Sequence, residues 1–152
     1  MKATISALVA LGMLISSAAS ADSLVIHLNS HHSHDAYRYN ESNPGVGYRW
    51  AETLYGHDVH AEAGLFRNSY YRMSSYLIVS KPIAQLGGIK VSLDAGVATG
   101  YSDRPGRGEL RPIARIAFHD LYTGLIAGFS PTVTESENEI EFVAMVSWIV
   151  DL

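Results

Sequence analysis

The sequence predicts an all-β chain, an antiparallel up-and-down transmembrane β-barrel of about eight strands that follows a cleaved export signal. Three observations predict it. Residues 142–152, FVAMVSWIVDL, put Phe142, Ala144, Val146, Trp148, Val150 and Leu152 on one wholly apolar face when read at period two, and about eleven residues match a strand that crosses a bilayer at a tilt. Several earlier segments alternate in the same way, and none after the N-terminus approaches the roughly 20 uninterrupted apolar residues of a membrane helix. The connections between them alternate between short turns and longer polar loops, except for the brief third one at 68–71.

Taken in order, the chain starts with Lys2, an apolar run from Ala7 to Ile15, and the small residues Ala19, Ser20 and Ala21 before Asp22. That is a secretory signal of bacterial type. Residues 1–21 are therefore expected to be removed, with residues 22–152 forming one domain exported to the outer membrane of a Gram-negative bacterium. Removal takes away one cation, Lys2, leaving 10 Lys and Arg against 15 Asp and Glu, a net charge of about −5. An acidic chain argues against a nucleic-acid partner. No cysteine is present, so neither disulfides nor thiolate metal sites contribute.

The expected strands follow from alternation. Residues 23–31 set Leu24, Ile26 and Leu28 against Ser23, Val25, His27, Asn29 and His31. A polar loop, residues 32–43, precedes a strand opened by Pro44 and Gly45 that sets Val46, Tyr48 and Trp50 against Arg49. After a turn at 52–57, residues 58–68 oppose Val59, Ala61, Ala63 and Leu65 to His60, Glu62, Gly64, Phe66 and Asn68. A tight connection at 68–71 leads to a strand at 72–80, and a turn at 82–88 leads to the clearest alternation, residues 89–101. A polar loop at 102–109 is followed by strands at 110–118 and 121–130, then a loop at 131–138 and the last strand, 139–152. With both termini in the periplasm, the odd connections face outside and include the three long ones, as membrane barrels require. Tyr48, Trp50, Tyr71, Tyr101, Tyr122 and Trp148 fall near strand ends, where interfacial aromatic girdles belong. The rival is a soluble sandwich or lipocalin-like barrel, which would hide the apolar rows from water instead of offering them to lipid.

Chemistry-bearing residues concentrate early. Four histidines fall within residues 27–34. His32 and His34 would lie on one side of an extended segment ~7 Å apart, a spacing that suits one metal ion, with Asp35 as a third ligand. Without a metal, a solvated loop accounts for them. A second candidate is acyl chemistry, in which a His takes a Ser proton, a carboxylate holds its tautomer, and Asn side chains stabilise the oxyanion. The candidate residues are His27, Asn29 and Ser30 on the first strand and Asn68, Ser69 and Ser74 around the third connection. Asn40, Asn43, Tyr70, Arg104 and Arg107 are candidate binding residues, the arginines toward lipopolysaccharide phosphates. Their plainer roles are structural: lumen hydrogen bonds, turn formation and solvation.

On this architecture and residue inventory, the chain resembles the small eight-stranded outer-membrane barrels that modify lipid A, the palmitoyltransferase and the 3-O-deacylase, which place His and Ser near the outer leaflet. The deacylase order of His, any residue, Ser and Asn is replaced here by His27, Leu28, Asn29 and Ser30. The C-terminal run is similar to the targeting strand of bacterial outer-membrane barrels, with Leu152 where that family usually ends in an aromatic. Three function classes follow. The first is a surface protein whose loops bind a partner without catalysis, the second an acyl hydrolase or acyltransferase acting on lipid A, and the third a soluble periplasmic lipid-binding β-barrel. No cofactor motif is present, outer-membrane lipid is the expected partner, and the sequence sets no oligomeric state.

Overall fold

The computed structural model describes residues 23–33, 39–101, 110–133 and 140–152. Eight strands follow one another: β1 (Ser23–His32), β2 (Ser42–Leu54), β3 (His57–Arg67), β4 (Met73–Leu86), β5 (Ile89–Ala98), β6 (Arg111–Asp120), β7 (Leu125–Val133) and β8 (Ile140–Asp151). Each pairs antiparallel with its neighbour in the chain, and β8 returns to pair with β1, closing a barrel. Closure leaves no sheet edge unpaired. The expected signal, residues 1–21, lies outside the described residues.

Boundaries differ from the expected ones where proline or turn chemistry intervenes. β2 runs from Ser42 to Leu54, so the turn expected at 52–57 shrinks to Tyr55 and Gly56, both at positive φ (50° and 78°). Two such residues match the right-handed twist of a hairpin. β4 continues past Pro82 to Leu86, with a register shift between Pro82 and Ala84 that accommodates a residue lacking an N–H. β5 ends at Ala98, leaving Tyr101 in the connection. β7 begins only at Leu125, because the Asp120 carboxylate accepts from the Tyr122 N–H and the Thr123 hydroxyl and folds 121–124 into a turn.

The connections sort by end. Those at 55–56, 87–88 and 121–124 are brief and lie at one end, and the turn at 68–72 lies at the other, together with the ends of β1, β2, β5, β6, β7 and β8 that the remaining connections join. The apolar rows face out. Val46 (50% exposed), Leu65, Met73, Leu93, Ile116, Phe129, Phe142 and Trp148 are all exposed large hydrophobic side chains around the circumference. Among the described residues no second layer covers them, and the single closed barrel rules out the sandwich. The interior is the polar side: Arg49, Glu62, Asp94 and Arg115 are buried. A lipocalin-like barrel has the reverse arrangement, so an outside of this kind calls for hydrocarbon, not water, as its solvent.

One strand departs from its expected faces. In β1 the pairing to β8 runs His27 with Ser147 and then Asn29 with Val146, skipping Leu28. This bulge carries one extra residue, and everything beyond it changes face. Leu28 and Asn29 are both exposed, Ser30 and His32 are buried, and His31, expected inside, is exposed.

Candidate active site

The bulge delivers His32 to the lumen at the outward-connection end. There its Nδ1 lies 3.0 Å from Glu141 Oε1, at the start of β8, and its Nε2 lies 2.8 Å from the Ser69 hydroxyl, in the turn between β3 and β4. All three are buried, at 9%, 3% and 8% exposure. A carboxylate can only accept, so Nδ1 carries the proton and donates to Glu141, and Nε2 accepts from Ser69. That is the tautomer a general base needs to take a serine proton.

Ser69 is held by asparagines. Asn68, fully buried, accepts from the Tyr70 and Arg72 N–H groups through Oδ1 (2.9 and 3.0 Å) and donates through Nδ2 to the Gly100 carbonyl (2.7 Å) and the Ser74 hydroxyl (2.9 Å). Asn40 donates its N–H to the Ser69 carbonyl (2.8 Å) and its amide to the carbonyls of Ser42 and Asn68. Asn43 donates to the Arg67 and Asn40 carbonyls and accepts from the Ser30 hydroxyl at 2.5 Å. Asn68, expected as an oxyanion donor, and Asn40 and Asn43, expected as binding residues, therefore have their amides committed to other partners, and their role in this arrangement is to fix the turn.

The remaining candidates separate. Ser30 and Ser74 are buried as second neighbours of the turn, and Asn29 is exposed at the bulge. Tyr70 meets the Tyr101 and Tyr39 rings edge-on. Arg104, Arg107, His34 and Asp35 lie outside the described residues. Both ring nitrogens of His32 are hydrogen-bonded, which leaves neither for a metal in this arrangement. Among the described residues no group of three or more metal-ligating side chains occurs.

His27 lies deeper and pairs with a different serine than expected. Its Nε2 is 2.7 Å from the Tyr76 hydroxyl, which itself donates to Glu62 (2.9 Å), and its Nδ1 is 2.9 Å from the Ser147 hydroxyl. Because Tyr76 donates to the carboxylate, it accepts from His27 Nε2, and Ser147 then donates to Nδ1. Arg49 approaches Glu62 at 3.7 Å, and Arg115 donates to Asp94 at 2.6 Å. Strands β1 to β6 and β8 all contribute to this network, which closes the lumen below.

Between the two His–Ser pairs lies a cavity of about 150 Å³. Its section can be followed down β8: Glu141 and Ser147 bracket Val143 and Met145, and all four line it. Phe66, Ile78 and Ile113 complete the apolar wall, Tyr39, Tyr70 and Tyr101 the upper rim. Burial pushes the Tyr101 phenol up to about 12 and, with the nearby Glu141 charge, raises that of Tyr39, so both rim hydroxyls stay neutral.

The shortest ladder of the barrel joins β6 and β7. Their ladder extends only from Ile116 with Phe129 to His119 with Ile126. Toward the outer end Pro112 and Pro131 supply no N–H, and the Ser130 hydroxyl donates to the Ala114 carbonyl instead.

Sequence reasoning named Ser69 as a catalytic candidate and His32 as a candidate metal ligand, and it did not name Glu141. The available signal for Glu141 was an acid on the inward row of β8, at the end where the other candidates gather.

No family model and no curated protein matches the chain. Among solved structures it is similar to the Yersinia pestis outer membrane protein Ail, a backbone structure in a phospholipid bilayer nanodisc. The identity is 7%, with 87% of this chain and 100% of that chain covered and a TM-score of 0.48.

Proposed function

We propose that the protein is a small outer-membrane barrel that transfers or hydrolyses an acyl group of an outer-leaflet lipid, lipid A among the candidates. Ser69 is the nucleophile, His32 the base and Glu141 its orienting carboxylate. One observation carries this reading: the hydrogen-bonded run from Glu141 through His32 to Ser69 sits at the mouth of an apolar-walled cavity. A solvated histidine cluster would not place a buried serine and a buried carboxylate on opposite ring nitrogens.

In this mechanism the Ser69 oxygen attacks the ester carbonyl carbon while its proton passes to His32 Nε2. Collapse of the tetrahedral intermediate breaks the bond to the alcohol, which takes the proton from Nε2. The acyl-serine then yields to water or to an acceptor hydroxyl by the same steps. The acyl chain occupies the cavity, and the sparse ladder between β6 and β7 offers it a passage from the bilayer. The lipid reading rests on the apolar outside and on the position of the site at the longer-loop end, which an exported barrel turns toward the outer leaflet.

The test is mass spectrometry of lipids, lipid A included, from cells with the wild-type protein, Ser69→Ala, His32→Ala or none. A change in acyl pattern that both substitutions abolish supports the reading. An unchanged pattern in all four removes it and leaves the non-catalytic surface protein.

A further inference from the structure

Tyr39 lies on the face of the His32 imidazole, with ring centroids 4.0 Å apart and planes inclined by 20°. Burial and the nearby Glu141 charge raise the pKa of its phenol, so Tyr39 lies against the base behind Ser69 and close to the charge of its orienting carboxylate. Tyr39 is itself braced, edge-on to Tyr70 at 5.9 Å and 90°, and Tyr70 meets Tyr101 in the same manner at 6.0 Å and 88°. Arg111 lies over Tyr101 at 5.9 Å. The three rings span the rim from the β1 side to β6.

We infer that Tyr39 is a positioning residue of the Ser69 site: it fixes the plane of the His32 ring and stabilises the imidazolium formed as Ser69 gives up its proton. The inference rests on the acyl-transfer reading. An aromatic face carries negative charge density and attracts a cation, whereas it has less to offer the neutral ring. The contact therefore strengthens as the proton moves and acts on the rate of attack more than on lipid binding. The groups facing His32 are Ser69, Glu141 and Tyr39, with His31 and Glu41 contributing charge from nearby.

The test uses the full-length protein in detergent micelles and a fluorophosphonate probe, which reports Ser69 nucleophilicity without knowledge of the lipid. Tyr39→Phe keeps the face and removes the hydroxyl, and Tyr39→Leu removes both, so their difference isolates the face. Labelling of the Phe variant is expected near the wild-type rate. That of the Leu variant is expected to be slower on the order of tenfold, with half-maximal labelling at lower pH than in the Phe variant. Tyr39→Trp restores the rate and serves as the control for folding. Equal rates and pH profiles for Leu and Phe would overturn the role of Tyr39 alone. Absence of Ser69-dependent labelling in the wild type would instead bring down the parent reading, and the positioning role with it.

Discussion

The His32 imidazole and the Ser69 hydroxyl are 2.8 Å apart although 37 residues separate them in the chain. They meet because a bulge turns the end of β1 inward and an asparagine-built turn raises Ser69 from the β3–β4 connection to the same level. Neither element alone brings them together.

Removing either partner should abolish the chemistry without unfolding the barrel. Ser69→Ala and His32→Ala are each expected to lower probe labelling or lipid turnover by on the order of a thousandfold or more, and the double variant little further, since such groups act as a unit. Retained heat-modifiable migration on gels would show the barrel intact. Full activity in Ser69→Ala would eliminate it as nucleophile.

Glu141→Gln tests the tautomer. The amide can donate to Nδ1 and so favours the wrong ring proton, which should cost on the order of a hundredfold or more in turnover with little change in lipid affinity. Separating kcat from KM checks this, and a loss confined to KM would contradict it.

The bulge predicts an asymmetry between two deletions. Deleting Leu28 restores regular alternation against β8 and keeps Ser30 and His32 inward, so Ser69 labelling should survive. Deleting Leu28 and Asn29 together instead leaves His32 three positions after His27, which turns it to the outside and should silence the site. Equal outcomes for the two would mean that the register shift does not place His32.

The Arg115–Asp94 pair is buried at 6% and 4% exposure. Asp94→Ala leaves a cation in the lumen with one partner removed and should destabilise the barrel by about 3–5 kcal/mol. Replacing both by apolar residues of similar volume should recover much of that loss. Urea unfolding in micelles measures both, and a neutral Asp94→Ala would contradict the pairing.

Leu93 is 49% exposed on the outward row of β5, where its strand passes mid-barrel. If lipid covers this face, Leu93→Arg should cost about 2–4 kcal/mol. A soluble barrel would tolerate the change or gain solubility from it, so unfolding measurements on this variant separate the two solvents.

Period-two alternation, a local property, was enough to read the strand count and the outward rows of β2, β3 and β8. It failed first at Leu28, because a bulge is settled by what the neighbouring strand offers for pairing, and a shift of one residue exchanges the faces of all that follow. The site was legible as an inventory of His, Ser and Asn near one end. Its wiring was not: His27 went to Ser147 and Tyr76, while His32 found Ser69 and Glu141, the last 109 positions away. The sequence alone determines which side chains face inward on a regular strand. Only closure of the barrel decides which of them meet, since those contacts depend on the relative height of strands that are distant in the chain.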